Sequence, residues 1–188
     1  MKIAVIGAGN IGGTLGASWE KAGHEVTYQL RDPDKKKGAV PLGQDLDKAD
    51  VVLLAVPGSA VVEFVKEHSK ALDGKILIDA TNNFGAPSSN SWHELFKAIP
   101  EAELYRAFNT LGFDVLENPQ VGGEKADLFY CGPEKDAPVV ERLIEDAGLR
   151  PIRVGGMDAV DTVDGVLRLW FTLAQTRGRR IAFRLISD

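Results

Sequence analysis

The sequence predicts an α/β chain of Rossmann type, a doubly wound, mostly parallel sheet with a C-terminal helical segment. Three observations carry that expectation. Residues 2–13 read KIAVIGAGNIGG, a strand-like apolar run broken by Gly7-x-Gly9-x-x-Gly12 and followed by apolar residues at helical spacing. Apolar runs and helical periods then alternate along the chain, as βα units require. From Asp158 to Leu173 the apolar residues cover most of a helix's circumference, which demands burial on several sides. Residues 1–155 are therefore expected to form one dinucleotide-binding domain. Residues 156–188 are expected to pack on it and on a second copy, making a homodimer.

Taken in order, the first strand ends at the glycine triplet, and a helix runs from Ile11 through Leu15 and Trp19 to Ala22, stopping at Gly23. Glu25 to Leu30 is the second strand. Ala49 to Val56 (ADVVLLAV) is continuously apolar, as a parallel strand covered on both faces must be, and Pro57-Gly58 ends it. Ser59 to Ala71 has helical period and Lys75 to Asp79 is the next strand. A loop rich in Ser, Pro and Asn leads to a short helix, Trp92 to Ala98. Strands follow at Leu104 to Phe108 and Leu128 to Cys131, then a helix from Pro138 to Ala147 ended by Gly148, and a strand from Pro151 to Val154.

A glycine triplet between strand and helix predicts a dinucleotide site. The strand must end in a tight turn, the backbone must approach a pyrophosphate, and the helix must pack closely. The first helical amides then face the phosphates, so no basic side chain is needed there. At the tip of the second strand, where an NAD site usually places an acid, the chain has Leu30-Arg31-Asp32 and then Lys35 to Lys37. A guanidinium suits a 2′-phosphate, so Arg31 predicts NADP(H). The alternative is a solvated charged loop with Asp32 as the ribose acid.

Composition limits the other classes. The 188 residues are 44% hydrophobic and carry a net charge of −5, enough to build a core and the wrong sign for nucleic acid as main partner. No apolar run approaches membrane-spanning length, and the fingerprint strand opens the chain with no signal peptide before it, so a cytoplasmic location is expected. The single cysteine, Cys131, reads as a buried small hydrophobe. His24 and His68 read as surface residues, His93 has no assignment, and no two histidines are spaced as metal ligands, so no metal is expected. Asp127, Asp158, Asp161 and Asp164 stand near strand ends or helix starts, where dipoles favour carboxylates. Ser59 reads as a helix cap or phosphate-side contact.

Ligands of open α/β sheets bind in the crevice at the carboxyl ends of the strands. The expected cofactor-binding residues are Gly7, Gly9, Asn10, Ile11, Gly12, Arg31, Ala55, Val56, Pro57, Ala80, Thr81 and Asn82. Thr81 and Asn82 would fix the face of the nicotinamide, and Asn109 with Thr110 would hold the acceptor opposite; Thr81, Asn82 and Asn109 are the expected catalytic positions. The plainer alternative for each Asn is a turn or cap.

The segments IAVIGAGNIGGTLG, GHEV with Arg31 after it, LLAVP, Asp79-Ala80-Thr81-Asn82 and Ala107-Phe108-Asn109-Thr110-Leu111-Gly112 lie in one order. In this the chain resembles the small NADPH-dependent reductases of the deazaflavin coenzyme F420, and the related cytosolic domains of metalloreductases. The resemblance implies NADP(H) as cofactor, F420 or a flavin as a small-molecule redox substrate, and hydride transfer between two rings. Asn83-Phe84-Gly85 departs from it, standing where the family often has a proline-containing turn. Two alternatives stay open, a reductase of a small carbonyl or imine and a non-catalytic dinucleotide sensor. Arg168, Arg177, Arg179, Arg180 and Arg184 crowd the end of an acidic chain, suggesting either an anionic partner or a solvated helix end.

Overall fold

The computed structural model describes residues 1–187. Its elements are β1 (Lys2–Ile6), α1 (Asn10–Lys21), β2 (Glu25–Leu30), β3 (Val40–Pro41), β4 (Val51–Leu54), α2 (Gly58–Glu67), α3 (Ser69–Leu72), β5 (Ile76–Asp79), α4 (Trp92–Ala98), β6 (Glu103–Arg106), α5 (Phe113–Glu117), β7 (Gln120–Val121), β8 (Glu124–Lys125), β9 (Asp127–Cys131), α6 (Ala137–Asp146), β10 (Arg150–Gly155) and α7 (Val160–Arg177). The main sheet runs β10-β9-β6-β5-β4-β1-β2-β3. From β3 to β6 every pairing is parallel, while β9 meets β6 antiparallel through the single pair Arg106↔Cys131. This is the doubly wound, mostly parallel sheet that the sequence predicts.

Strand order reverses on either side of β1, which pairs with both β2 and β4, and such a switch point opens a crevice above the carboxyl ends. The register brings four strand ends into line: Ile6 opposite Leu54, Leu54 opposite Asp79, and Asp79 opposite Arg106. Residues 7, 55, 80 and 107 therefore leave the sheet along one rim. Beneath it, alternate residues feed two cores. Ile3, Val5, Val51 and Leu53 pack with α1, α5 and α6, and Ala4, Ile6, Val52 and Leu54 pack with α2 and α4. Burial on both faces is why these strands read as unbroken apolar runs.

The helix expected over Ser59–Ala71 is two, broken at His68 (φ −108°, ψ 15°). No glycine or proline marks the break. The His68 ring stacks on Phe64 with centroids 4.7 Å apart and lies over Gly43, so it is packed rather than a surface residue. His24 is corrected in the same way. Its Nε2 lies 2.8 Å from the Asp146 carboxylate, with both side chains near nine-tenths buried, joining β2 to α6. Burial alone would raise the Asp146 carboxyl, but hydrogen bonds from His24 and Arg142 hold it below the ordinary range. Cys131 is buried as expected, and desolvation pushes its thiol up to about 12. Elements of two to five residues (β3, α5, β7 and β8) are too short to show a period and were not foreseen.

Helix α7 buries Val163, Asp164, Leu167 and Trp170 along one face and leaves Leu169 and Phe171 outward. Trp170 thus packs inside its own chain, not in the two-fold contact that an all-round apolar helix suggests. Beyond Gly178 the chain turns back as a strap. The Trp170 indole donates to the Ile181 carbonyl (3.2 Å), the Phe183 carbonyl accepts from the Asp127 amide (3.0 Å), and Phe183 packs edge-on against Phe129. Asp127 is not a solvated strand-end acid, because it is fully buried and takes two hydrogen bonds from Arg150 (2.6 and 2.7 Å). Replacing Trp170 with Ala removes a buried indole and the strap's anchor, a loss of about 3–5 kcal/mol for such truncations. The urea midpoint of Trp170→Ala should fall accordingly, and trypsin should cut the native variant at Arg179 and Arg180 faster than it cuts the wild type.

Candidate active site at the carboxyl rim

At the β1–α1 turn the glycines divide their work. Gly7 has φ +98°, and a Cβ there would lie 2.6 Å from the Ala55 carbonyl oxygen; one on Gly12 would lie 2.0 Å from the Gly7 oxygen. These two let β1, β4 and α1 close on one another. A Cβ on Gly9 would meet nothing within 4 Å. The space before Gly9 is open, and α1 begins there with no side-chain cap, leaving its first amides free for an anion. The turn fits a dinucleotide pyrophosphate as the motif predicts.

Along the rim lies a cavity of about 1050 Å³. Its walls bring together the predicted residues Asn10, Ile11, Ala55, Val56, Pro57, Ala80, Thr81, Asn82 and Asn109, with Gly58, Ser59 and Val62 of α2. Asn83, Phe84, Ala86, Ser91, Leu111, Gly112, Phe113 and, from the C-terminal segment, Leu167, Trp170, Phe171 and Arg179 complete it; of these, Arg179 is one of the arginines that the sequence suggested for an anionic partner. Gly7, Gly9 and Gly12 lie outside the lining. Arg31 also lies outside it, exposed just past β2, with the neighbouring Asp32 carboxylate 3.8 Å from Lys35.

The floor of the cavity rests on a residue that sequence reasoning missed. Arg106, the last residue of β6, is fully buried. Its Nη1 donates to Asp79 Oδ2 (2.9 Å) and to the Thr81 carbonyl, its Nη2 to Asn82 Oδ1 (2.9 Å), and its Nε to Asp164 Oδ1 (3.0 Å). Asp164 also accepts from Asn109 Nδ2 (2.8 Å) and Asn90 Nδ2 (2.7 Å). So Asp164, read from sequence as a helix-start acid, is instead a buried ion-pair partner reaching from α7 to the sheet. Buried charge persists only with such pairing. The available signal was an arginine closing a strand, ELYR, one register step from Asp79.

This network settles which polar groups remain free. The Thr81 hydroxyl and amide both donate to Asp79 Oδ1, at 2.7 and 2.9 Å. Asn82 is held by Arg106 through its oxygen, while its Nδ2 reaches the Asn109 carbonyl at a long 3.4 Å. Asn109 Oδ1 is buried and has no partner among the described residues, as have Thr110 Oγ1 and Asn83 Oδ1. A buried acceptor left unpaired is costly, so a water or a bound ligand must satisfy it. Phe108, just before it, holds φ +62°, a strained conformation for a bulky residue that turns the chain at Asn109. Among the arginines of the C-terminal segment, Arg168, Arg180 and Arg184 donate to backbone carbonyls of Asp161, Asp114, Gln120 and Lys125. They serve packing.

Known proteins share this fold. The chain is similar over its whole length to a structure from Arthrobacter sp. FB24 provisionally described as an F420-dependent NADP-reductase, with TM-score 0.85 and 22% identity over all of both chains. It is similar to a hypothetical protein of Sinorhizobium meliloti, with TM-score 0.75 and 29% identity over 100% of this chain and 96% of that one. An Aspergillus terreus reductive aminase solved with NADPH and ethyl levulinate gives TM-score 0.71 at 19% identity, covering 93% of this chain and 62% of the other. Likeness at 19–22% identity shows the fold. The glycerol-3-phosphate dehydrogenase [NAD(P)+] of Ectopseudomonas mendocina is 26% identical over 66% of this chain, which spans only 41% of that enzyme's length. Residues 2–83, from β1 through the Asp79–Asn83 strand end, match the family described as NADP oxidoreductase, coenzyme F420-dependent.

Proposed function

We propose that the protein transfers hydride between NADP(H) and a flavin-like or deazaflavin acceptor such as F420, both held in the rim cavity. One observation carries the choice of acceptor. Among the described residues lining the cavity there is no Asp, Glu, His, Lys, Tyr or Cys; Arg179 is the single charged side chain. Reduction of a carbonyl or imine places a proton on oxygen or nitrogen and calls for a positioned acid. A flavin-like ring disperses the arriving electron pair over its own conjugated system, so orientation and exclusion of water suffice. The family match over residues 2–83 supports the same reading.

The chain's own residues divide as follows. The α1 amides beside Gly9 receive the pyrophosphate, and Ser59 at the start of α2 stands on the same wall. Arg31 takes the 2′-phosphate. Ala55, Val56 and Pro57 give apolar contact to the adenosine half. Bound NADPH supplies the hydride. Asn109 Oδ1 accepts from an amide donor of the nicotinamide, and Asn82 Nδ2 turns to it from its long contact. Thr81, whose hydroxyl and amide are both taken by Asp79, acts as a rigid wall. Phe84 and Phe171 are exposed apolar residues with ring centroids 5.6 Å apart, and they form the face for a homodimer contact. No described helix is long and apolar enough to cross a membrane.

A carbonyl or imine reductase is the second reading. It draws on the reductive aminase likeness, but this chain covers only 62% of that protein and brings no acid to the cavity. The deciding experiment follows NADPH absorbance with FMN, FAD, a deazaflavin, a ferric chelate and a panel of small ketones and imines. Oxidation by the ring compounds alone is expected. Oxidation by ketones or imines would overturn the choice of acceptor, and tight NADPH binding without oxidation by any of them would make the protein a sensor.

Gly9 has φ −70°, open to any residue, and its missing Cβ faces empty space. Gly9→Val should therefore fold like the wild type by circular dichroism yet lose NADPH binding by fluorescence titration. Normal binding by the variant would mean the triplet serves only the turn. Arg31→Ala should weaken NADPH by about 2 kcal/mol, the scale of charge-assisted hydrogen bonds, and leave NADH nearly unchanged. Equal losses for both would return the ribose contact to Asp32.

A further inference from the structure

Asp164 does more than pair with Arg106. Its Oδ1 takes two donors, Arg106 Nε at 3.0 Å and Asn109 Nδ2 at 2.8 Å, and its Oδ2 takes Asn90 Nδ2 at 2.7 Å. Asp164 is 1% exposed and Asn109 2%, so bulk water does not compete for their contact. Asn109 lines the cavity, and its Oδ1 is left without a partner among the described residues. One carboxylate thus orients both ends of one amide, the nitrogen toward α7 and the oxygen away from it.

A carboxamide has nearly the same shape either way round, so its partners decide which end faces where. Turned over, Asn109 would set its oxygen against the Asp164 carboxylate, two acceptors with no proton between them. Asp164 cannot swing aside to relieve this, because Arg106 Nε shares the same oxygen and would be left buried and unmet. A ligand group beside Asn109 therefore meets an acceptor of fixed direction. A ligand with no donor at that point leaves the acceptor buried and unpaired.

We propose that Asp164 is a positioning residue that selects the side group of the dinucleotide's redox ring through Asn109: it holds Oδ1 as the acceptor, so that a carboxamide is bound and a group offering no N–H is refused. This rests on the placement of the nicotinamide beside Asn109 given above and extends it to a rule of discrimination. The selectivity comes from the buried group that the wrong ligand leaves unpaired, not from added attraction to the right one.

NADP⁺ and its thionicotinamide and 3-acetylpyridine analogues test the rule, since the first two carry –NH₂ on the side group and the third a methyl in its place. Quenching of tryptophan fluorescence reads the binding of each without turnover, Trp170 standing in the cavity wall. Wild type should bind NADP⁺ and the thio analogue within about threefold of each other and the acetylpyridine analogue about tenfold more weakly, the scale of one unpaired buried acceptor. Asp164→Ala frees the amide to turn its nitrogen to the ketone, so the preference should fall to within about twofold. Asn109→Ala, which leaves the ion pair intact, should lose it as well. Asp164→Asn still offers an oxygen to Arg106 Nε and Asn109 Nδ2 and should keep most of it. Should Asp164→Ala not fold, Asp164→Leu combined with Arg106→Met removes the buried charge together with its partner, and it too must lose the preference.

A wild type indifferent to the side group, a preference kept by Asp164→Ala, or equal losses for all three ligands would each overturn the proposal; the last is what a merely structural carboxylate would give. Turnover separates it from the reading beneath it. NADPH oxidised by flavins in a protein indifferent to the side group would leave hydride transfer standing without this role for Asp164. An Asp164-dependent preference with no oxidation by any acceptor would do the reverse.

Discussion

The site depends on one buried guanidinium. Arg106 has no exposed surface, and it joins two carboxylates, two main-chain carbonyls and a side-chain amide drawn from two separate stretches of chain, residues 79–82 and α7. Removing water from these charges is costly, and only their pairing offsets it. The cost of breaking such a cluster, about 3–5 kcal/mol when one partner is removed, comes from the charge left unpaired. Hydrophobic residues of the same volume would serve stability as well or better. What they would not do is fix directions. Through Arg106 and its two acids the ends of β5 and β6, the loop carrying Asn90, and α7 hold one relative placement.

The same arrangement explains why the cavity is neutral while its floor is charged. The carboxylates of Asp79 and Asp164 are consumed below, by Arg106, Thr81, Asn90 and Asn109, and what faces the cavity is their neutral supporting layer of amides. Asn109 shows the division in one side chain. Its Nδ2 is spent on Asp164 and its oxygen is left over. An amide oriented by a carboxylate on one side presents an acceptor of fixed direction on the other, and hydride transfer needs orientation of that kind more than it needs a proton.

Much of this was legible in the sequence, for identifiable reasons. The β1–α1–β2 unit, the parallel core strands and the rim residues Ala55–Pro57, Ala80–Asn82 and Asn109 follow from periodicity and from the rule that ligands sit at carboxyl ends. The glycine triplet was legible as a motif, though not the sorting of its members into two that close the turn and one that faces open space. Arg106 was hidden because an arginine at the end of a strand is most often solvated, and only a tertiary partner 58 residues further on, Asp164, on a helix outside the βα rhythm, makes it interior. Asp164 was hidden for the same reason from the other side. His24 and His68 looked exposed because turns and helix ends usually are, while their burial is decided by Asp146 and Gly43, distant in sequence, and for His68 also by Phe64 one turn before it.

Helix α7 shows how a single ion pair propagates into the shape of the cavity. Asp164, Leu167 and Phe171 stand at i, i+3 and i+7, the spacing of one helical face. The first is fixed to Arg106; the other two line the cavity. Val163 and Trp170 share the buried side, and the Trp170 indole carries the anchor for the returning strap. A helix held at Asp164 has little freedom to roll, so the position of its aromatic wall is set nearly two turns away from the charge. The strap inherits that placement through Trp170 and delivers Arg179 to the opposite margin, between Trp170 and Phe113. The apolar excess that made this segment look like an interface is thus divided by helical period: one part, Phe171 included, builds the cavity wall, and Leu169 on the other side of the helix stays outward.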